Sequence, residues 1–306
     1  MIELLKTETH CHNMFSNGHV GEIESPFDSN VTISSQLEES LLAGLDVLFV
    51  TNHNTLDGYN QIINYKNSHK KFSGIEVYPA EEVTTDIEAH VLVYGLHKEI
   101  KSGQSLDEIL DDAKDQDAVT IAPHPFSLID ALREDSKKCD LFEVFNSSNI
   151  DVYSNKKAEI FAKENNLHVV AGSDSHVTST IARCTNLIDS ANNIDDIIFA
   201  LKHKRIEIEK IGYVKPKEVL EHIQFKIEHS KYHIDKYINE FYPKSRFLFN
   251  SLYKFYMVTR KSYFWELVYR MSLIGVRRIS RKINFEGLDP YSFRTRDIPT
   301  ITRMVF

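Results

Sequence analysis

Cysteine is scarce in this chain. Its 306 residues include only Cys11, Cys139 and Cys184, which form no C-x-x-C pair and are too few for a disulfide framework, so all three read as reduced packing residues. Apolar runs long enough to span a bilayer are also missing. The start, Met1-Ile2-Glu3-Leu4-Leu5-Lys6-Thr7-Glu8, has neither the basic opening nor the uninterrupted apolar stretch of a signal peptide. These absences set the expectation of a soluble, cytoplasmic protein. There is no internal repeat and no low-complexity segment. With 42% hydrophobic and 26% charged residues, the chain can build one large core or a domain with an appendage.

Charge divides the sequence. Residues 1–209 carry 17 basic and 35 acidic side chains, a net of −18, whereas residues 210–306 carry 19 and 9, a net of +10. The expected division is an acidic body, 1–209, and a basic, aromatic, mainly helical C-terminal extension, 210–306. Excess carboxylate suits a body that binds cations, although solvated helix faces such as 106–117 account for much of it.

Strand-like and helix-like segments alternate along the body. Strands are expected at 4–12, 47–51, 76–84, 89–95, 119–122, 141–145 and 168–171, and helices at 34–43, 105–114, 155–166 and 192–203. The second helix opens with Ser105 and Glu108 three apart, a capping-box spacing. This alternation predicts an α/β fold with a parallel sheet closed or nearly closed into a barrel. In the extension, Pro216 opens a helical pattern through Val219, Ile223, Ile227, Ile234 and Ile238, and an aromatic, basic stretch follows over 247–283.

Chemistry-bearing residues gather where strands end. His12, His53 and His124 stand at or just beyond strand segments, as do Asp174 and His176, and strand alternation points His10 and His12 to one face while Cys11 points away. The C-terminal rim of a β/α barrel is where such side chains converge. His10, His12, His53, Glu82, His90, His124, Asp174 and His176 therefore read as a polynuclear metal site.

The segments Glu8-Thr9-His10-Cys11-His12, Thr51-Asn52-His53, Ala80-Glu81-Glu82-Val83-Thr84 with Glu88-Ala89-His90, Ala122-Pro123-His124-Pro125, Glu143-Val144-Phe145-Asn146 and Gly172-Ser173-Asp174-Ser175-His176 resemble, in order, the motifs of the PHP (polymerase and histidinol phosphatase) superfamily. The likeness spans residues 5–205 and is greatest to the branch of predicted phosphoesterases and carbamate-ester hydrolases. It implies a distorted seven-stranded β/α barrel holding two to three divalent ions, Zn, Mn or Fe by the mixed imidazole and carboxylate donors. Carried over, His10, His12, Glu82 and Asp174 would hold one ion, Glu82 would bridge to a second with His90 and His124, and His53 with His176 would form a third position. The implied activity is hydrolysis of a phosphate monoester or a small nucleotide or oligonucleotide by metal-activated water, with Glu82 and Asp174 as supporting carboxylates. A carboxylic or carbamate ester hydrolase and a non-catalytic metal-binding module are the alternatives.

Departures from the motifs carry their own expectations. The family's S-D-G and T-D-H segments stand here as Ser16-Asn17-Gly18 and Thr51-Asn52-His53, each short of one acid, which predicts a weakened third position with His19 as the nearest substitute. Glu8 stands where an Asp is more usual, and Glu76 and Glu81 compete with Glu82 for the bridging role. Arg183 reads either as a phosphate clamp or as a surface ion pair, and His19 either as a ligand, proton-transfer group or substrate contact or as part of a solvent-exposed turn beside Gly18. His69, His97, His168, His203, His222, His229 and His233 have no motif around them and read as structural. Three roles fit the extension: packing of Phe264, Leu267, Val268 and Met271 on the barrel or in an oligomer, peripheral attachment to an anionic membrane, or nucleic-acid binding.

Overall fold

The strands of the body are β1 (Glu3–Glu8), β2 (Val47–His53), β3 (Glu76–Thr84), β4 (His90–Tyr94), β5 (Val119–Ala122), β6 (Leu141–Asn146), β7 (Val169–Gly172), β8 (Thr185–Ser190) and β9 (Ile206–Lys210). The computed structural model describes residues 3–20, 26–260, 262–294 and 296–306. Among the described residues nine strands, rather than the expected seven, join one sheet in the order β7-β6-β5-β4-β3-β2-β1-β8-β9. Nor is it all parallel: β3–β4, β4–β5, β1–β8 and β8–β9 pair antiparallel. The short connection between β3 and β4 permits only a hairpin, since a parallel return needs a long crossover. The half-exposed Ile206-Glu207-Ile208-Glu209-Lys210 has the alternation of an edge strand rather than of a buried barrel strand.

The sheet is nearly closed by a side chain. Asn186 of β8 accepts from the Ala171 amide of β7 at 3.0 Å and donates to the Ala171 carbonyl at 2.8 Å, so its carboxamide stands in for a ladder partner. Inside lies a core that includes Leu5, Phe49, Leu92, Tyr94 and Ile121, with the Phe49 and Tyr94 rings stacked at 4.3 Å. Fully burying such side chains stabilises by roughly 1.5–3 kcal/mol each.

Helices cover the sheet: α1 (Ile33–Leu42), α2 (Tyr59–Ser68), α3 (Leu106–Asp115), α4 (Tyr153–Glu164) and α5 (Ile194–Lys202). The capping box of Ser105 and Glu108 forms as expected, while α1 starts a residue earlier than its pattern indicated because Thr32 and Ser35 cap it. The polar opening of α2, Tyr59-Asn60-Gln61, hid it from a periodicity reading.

Among the described residues the extension forms five further α-helices, α6 (Pro216–His229), α7 (Ile234–Phe241), α8 (Arg246–Thr259), α9 (Phe264–Phe285) and α10 (Ile298–Val305). The C-terminal half of α9 docks on the body. Ile279 and Ile283 cluster with Met304 and Leu128, Ser280 donates to Asp151 at 2.6 Å and Asn284 to the Phe126 carbonyl at 3.2 Å. Its N-terminal half does not: Phe264, Leu267, Val268 and Met271, which only one of the three readings of the extension buries on the barrel, are exposed. Among the described residues no helix is long and apolar enough to cross a membrane.

Candidate metal centre

Beyond β1 the chain stays extended, so His10 and His12 point into the rim while Cys11 turns into the outer layer with Val31 and Leu37 and donates to the Phe49 carbonyl at 3.3 Å. β2 ends on His53, β3 presents Glu82, and β4 opens on His90. His124 and Asp174 follow β5 and β7 in left-handed backbone conformations, φ +29° and +50°. Non-glycine residues there cost about 1–3 kcal/mol and need fixed surroundings. Those surroundings are present: the His124 amide donates to Glu143 at 2.6 Å and the Asp174 amide to the His10 carbonyl at 2.7 Å.

Glu82 lies at the centre, 1% exposed, with its two oxygens turned to different histidines. Oε2 is 3.2 Å from His12 Nε2, 3.4 Å from His10 Nε2 and 3.4 Å from His53 Nδ1, whereas Oε1 is 3.0 Å from His90 Nδ1 and 3.1 Å from His124 Nε2. Asp174 Oδ1 lies 3.4 to 3.5 Å from His10, His12 and His176. A third carboxylate, Asp28, approaches His176 Nε2 at 3.3 Å and His12 and His53 at 3.9 Å. All eight residues read from the sequence as ligands thus meet in one cluster, together with Asp28.

The donor set fits divalent cations. Both ring nitrogens of His12, Nδ1 of His53 and His124, and Asp28 Oδ2 are buried without a hydrogen-bond partner, and buried polar atoms in that condition call for an ion or water. Burial raises Glu82, Asp174 and Asp28, yet the surrounding imidazoles outweigh it and hold all three well below the usual carboxylate range. Burial lowers His10 and His12, but the carboxylates outweigh it, raising His10 and taking His12 to about 9, whereas burial prevails at His53 and takes it down to about 3. Buried carboxylates in this number need cations among them, protonated imidazoles or metal ions.

This cluster floors a cavity of about 1280 Å³ whose walls include Lys226 and His222 of α6, Tyr237 of α7, and Tyr291, Arg294 and Arg296. Comparison with known proteins bears on the whole arrangement. The PHP-associated family profile matches residues 152–206. The uncharacterised protein MJ1587 of Methanocaldococcus jannaschii is 32% identical over 151 residues, 48% of this chain and 85% of that protein. Residues 152–206 thus carry a PHP-associated segment, in line with the PHP-like motifs of residues 5–205. A second uncharacterised protein of the same organism, MJ0417, is 26% identical over 52% of this chain and 65% of its own length. Among solved structures, PsfC from Pseudomonas syringae superposes with a TM-score of 0.52 at 14% identity, covering 74% of this chain and 99% of PsfC, a likeness of fold. The lesion-specific endonuclease Q of Pyrococcus furiosus reaches 0.49 at 16% identity over 67% of this chain and 58% of its own.

Against the PHP motifs, the two missing acids have different explanations. Asn17 does not face the cluster: its Oδ1 accepts from the amides of Asp28 and Ser29 at 2.5 and 3.0 Å and its Nδ2 donates to the Ser29 carbonyl at 3.1 Å. It thereby fixes the loop that delivers Asp28, whose carboxylate lies beside His53 and His176. The His19 side chain joins none of the donor groups formed by the described residues, and its carbonyl accepts from Asn54. Asn52 pairs with a neutral partner, accepting from the Asn13 amide at 2.9 Å and donating to Asn13 Oδ1 at 3.0 Å.

Support for the ligands also differs from expectation. Glu8 accepts from the amides of His10, Ser173 and Ala182 and the Ser173 hydroxyl, while Glu143 braces the imidazole, 2.9 Å from His10 Nδ1. Glu76 is ion-paired to Lys66 at 2.7 Å, and Glu81 accepts from the Ile100 amide with its pKa pushed by burial up to about 8, leaving Glu82 as the bridging candidate. Arg183 is tied to Glu218 of α6 and to the Ser179 carbonyl and does not line the cavity. His222, read as structural, stacks on His176 at 4.7 Å and lies 2.7 Å from the Asp28 carbonyl through Nε2. Its signal in the sequence was a polar pair, His222 and Lys226, set inside the apolar stripe of Val219, Ile223 and Ile227.

Proposed function

We propose that this chain is a divalent-metal-dependent phosphoesterase in which residues 1–209 supply the hydrolytic barrel and residues 210–306 complete the substrate cavity. The observation that carries the reading is the divided carboxylate of Glu82, with Oε2 toward His10 and His12 and Oε1 toward His90 and His124. His10, His12, Glu82 and Asp174 would hold one ion; Glu82, His90 and His124 a second; Asp28, His53 and His176 a third. Zn, Mn or Fe suits these donors better than Mg or Ca, which take oxygen shells. When bound, such ions acidify a water and neutralise charge on phosphoryl oxygens.

The protein's own residues would bind and orient the ester. Lys226 reaches the cluster, with Nζ 3.9 Å from Asp28 Oδ1, and Arg133, Arg294 and Arg296 add positive charge to the same cavity, which favours an anionic substrate. A cavity of about 1280 Å³ exceeds what a bare phosphate needs, and the Tyr237, Tyr242 and Tyr291 rings suit a nucleotide or short oligonucleotide. Elemental analysis of the purified protein, beside hydrolysis of p-nitrophenyl phosphate, bis-p-nitrophenyl phosphate and dinucleotides, tests the reading. Turnover of p-nitrophenyl acetate or a carbamate ester without any phosphate ester would replace it by a carboxyl-ester hydrolase. Bound metal with no turnover of either class would leave a binding module.

A further inference from the structure

Two consecutive helices of the extension leave an apolar surface uncovered. Leu252 and Phe255 on α8, and Phe264, Leu267, Met271 and Ile274 on α9, recur three or four residues apart and are all exposed, Met271 by 64% and Ile274 by 67%. That spacing puts each set on one helix face. Phe255 meets Phe264 edge-on at 5.9 Å and joins the two stripes. Contiguous exposed apolar surface of this kind marks an interaction site. Around it the sequence is basic: residues 246–282 carry nine Lys or Arg and one acid, Glu266.

We propose that the α8–α9 face docks on an anionic membrane surface, lying in the interface with its aliphatic stripe in the headgroup boundary. Three observations select a lipid surface. Leu267, Met271 and Ile274 offer nothing to phosphodiesters or base edges but gain from hydrocarbon. A second copy of the chain would bring a segment of net +8 against its twin, whereas anionic headgroups complement it. No described helix is long and apolar enough to span, so the face lies along the surface rather than crossing it.

Trp265 reports on this face, being the single tryptophan and packed 5.8 Å from Phe255 and 5.3 Å from Phe264. The full chain is mixed with vesicles of pure phosphatidylcholine or of equal parts phosphatidylcholine and phosphatidylglycerol, and co-sedimentation and Trp265 emission are followed. Binding with a blue shift is expected on the anionic vesicles alone, weakening with salt. Leu267→Asp with Met271→Asp should lower the partition coefficient by at least roughly tenfold. Lys254→Gln should lower it about fivefold, as expected for one basic residue near the surface. Both substitutions change exposed side chains, and circular dichroism checks that each variant is folded. Equal binding to neutral vesicles, no binding to either, binding to single-stranded DNA in place of vesicles, or a dimer that the Asp pair dissolves would each overturn the proposal.

Discussion

A methyl group added at Gly172 should disable the centre without replacing any ligand. The backbone of Gly172 would accept alanine, since its φ lies outside the left-handed region, so any cost is steric. A Cβ there would collide with Glu143 Oε1 and come within 2.8 Å of the His10 Cβ. Glu143 cannot yield cheaply. Its carboxylate lies 2.9 Å from His10 Nδ1 and accepts from the His124 amide at 2.6 Å and from Asn146 Nδ2 at 2.8 Å. Hydrogen bonds to a charged group contribute about 1.5–3 kcal/mol each, so losing two gives about 3–6 kcal/mol. That is a large share of a typical total of roughly 5–15 kcal/mol, and it should lower Tm by about 5–10 °C. Because Glu143 orients His10, metal affinity should fall roughly 10- to 100-fold. Differential scanning calorimetry and metal titration of Gly172→Ala measure both, with Gly74→Ala as control because a Cβ there meets nothing within 4 Å. Glu143→Gln combined with Gly172→Ala should cost less than the sum of the single changes, since both act on the same carboxylate. A Gly172→Ala protein as stable as its parent, with full metal affinity, would refute the argument.

Further outcomes follow from the site. Asp28→Asn should remove the third ion or weaken it at least about tenfold, read by elemental analysis after dialysis; Asn17→Asp, which sequence motifs single out as the restoring change, should not add metal, because Asn17 points at the Asp28 loop. Arg183→Ala should leave KM for a phosphate ester unchanged while lowering Tm by about 1–4 °C, since it breaks a half-buried pair to Glu218 rather than a substrate contact. Chelation should lower Tm reversibly, and metal binding should weaken as pH falls, because protons compete for imidazoles whose carboxylate neighbours raise His10 and take His12 to about 9; a binding constant independent of pH would contradict ligation by these histidines.

The parts of this site that were legible in the sequence share one physical reason: strand alternation and strand ends are local signals, and they place His10, His12, His53, His124 and Asp174 on the rim. Glu143 stood in a visible motif, but its role depends on Gly172 lying across the β6–β7 pair, a distance no spacing encodes. The hairpin turn between β3 and β4 and the edge strand β9 were missed because a β/α alternation presumes crossovers. His222 and Lys226 were hidden by the apolar periodicity around them, which reads as packing until α6 is seen against the Asp28 loop.

Asn17 and Asp28 show where motif reading fails in principle. A motif fixes residues along the chain, whereas an ion needs charge at a point in space. Asn17 is neutral, yet its carboxamide accepts from two backbone amides of the loop that brings Asp28 to His53 and His176. The Ser29 hydroxyl, donating to the His176 carbonyl at 3.1 Å, and His222 at the Asp28 carbonyl hold the same loop from the other side. The carboxylate beside His53 and His176 thus stands eleven residues along the chain from Asn17. A neutral residue at a ligand motif therefore removes a ligand only if no other carboxylate reaches the site, and here the three- to four-ångström approaches of Asp28 decide against that loss.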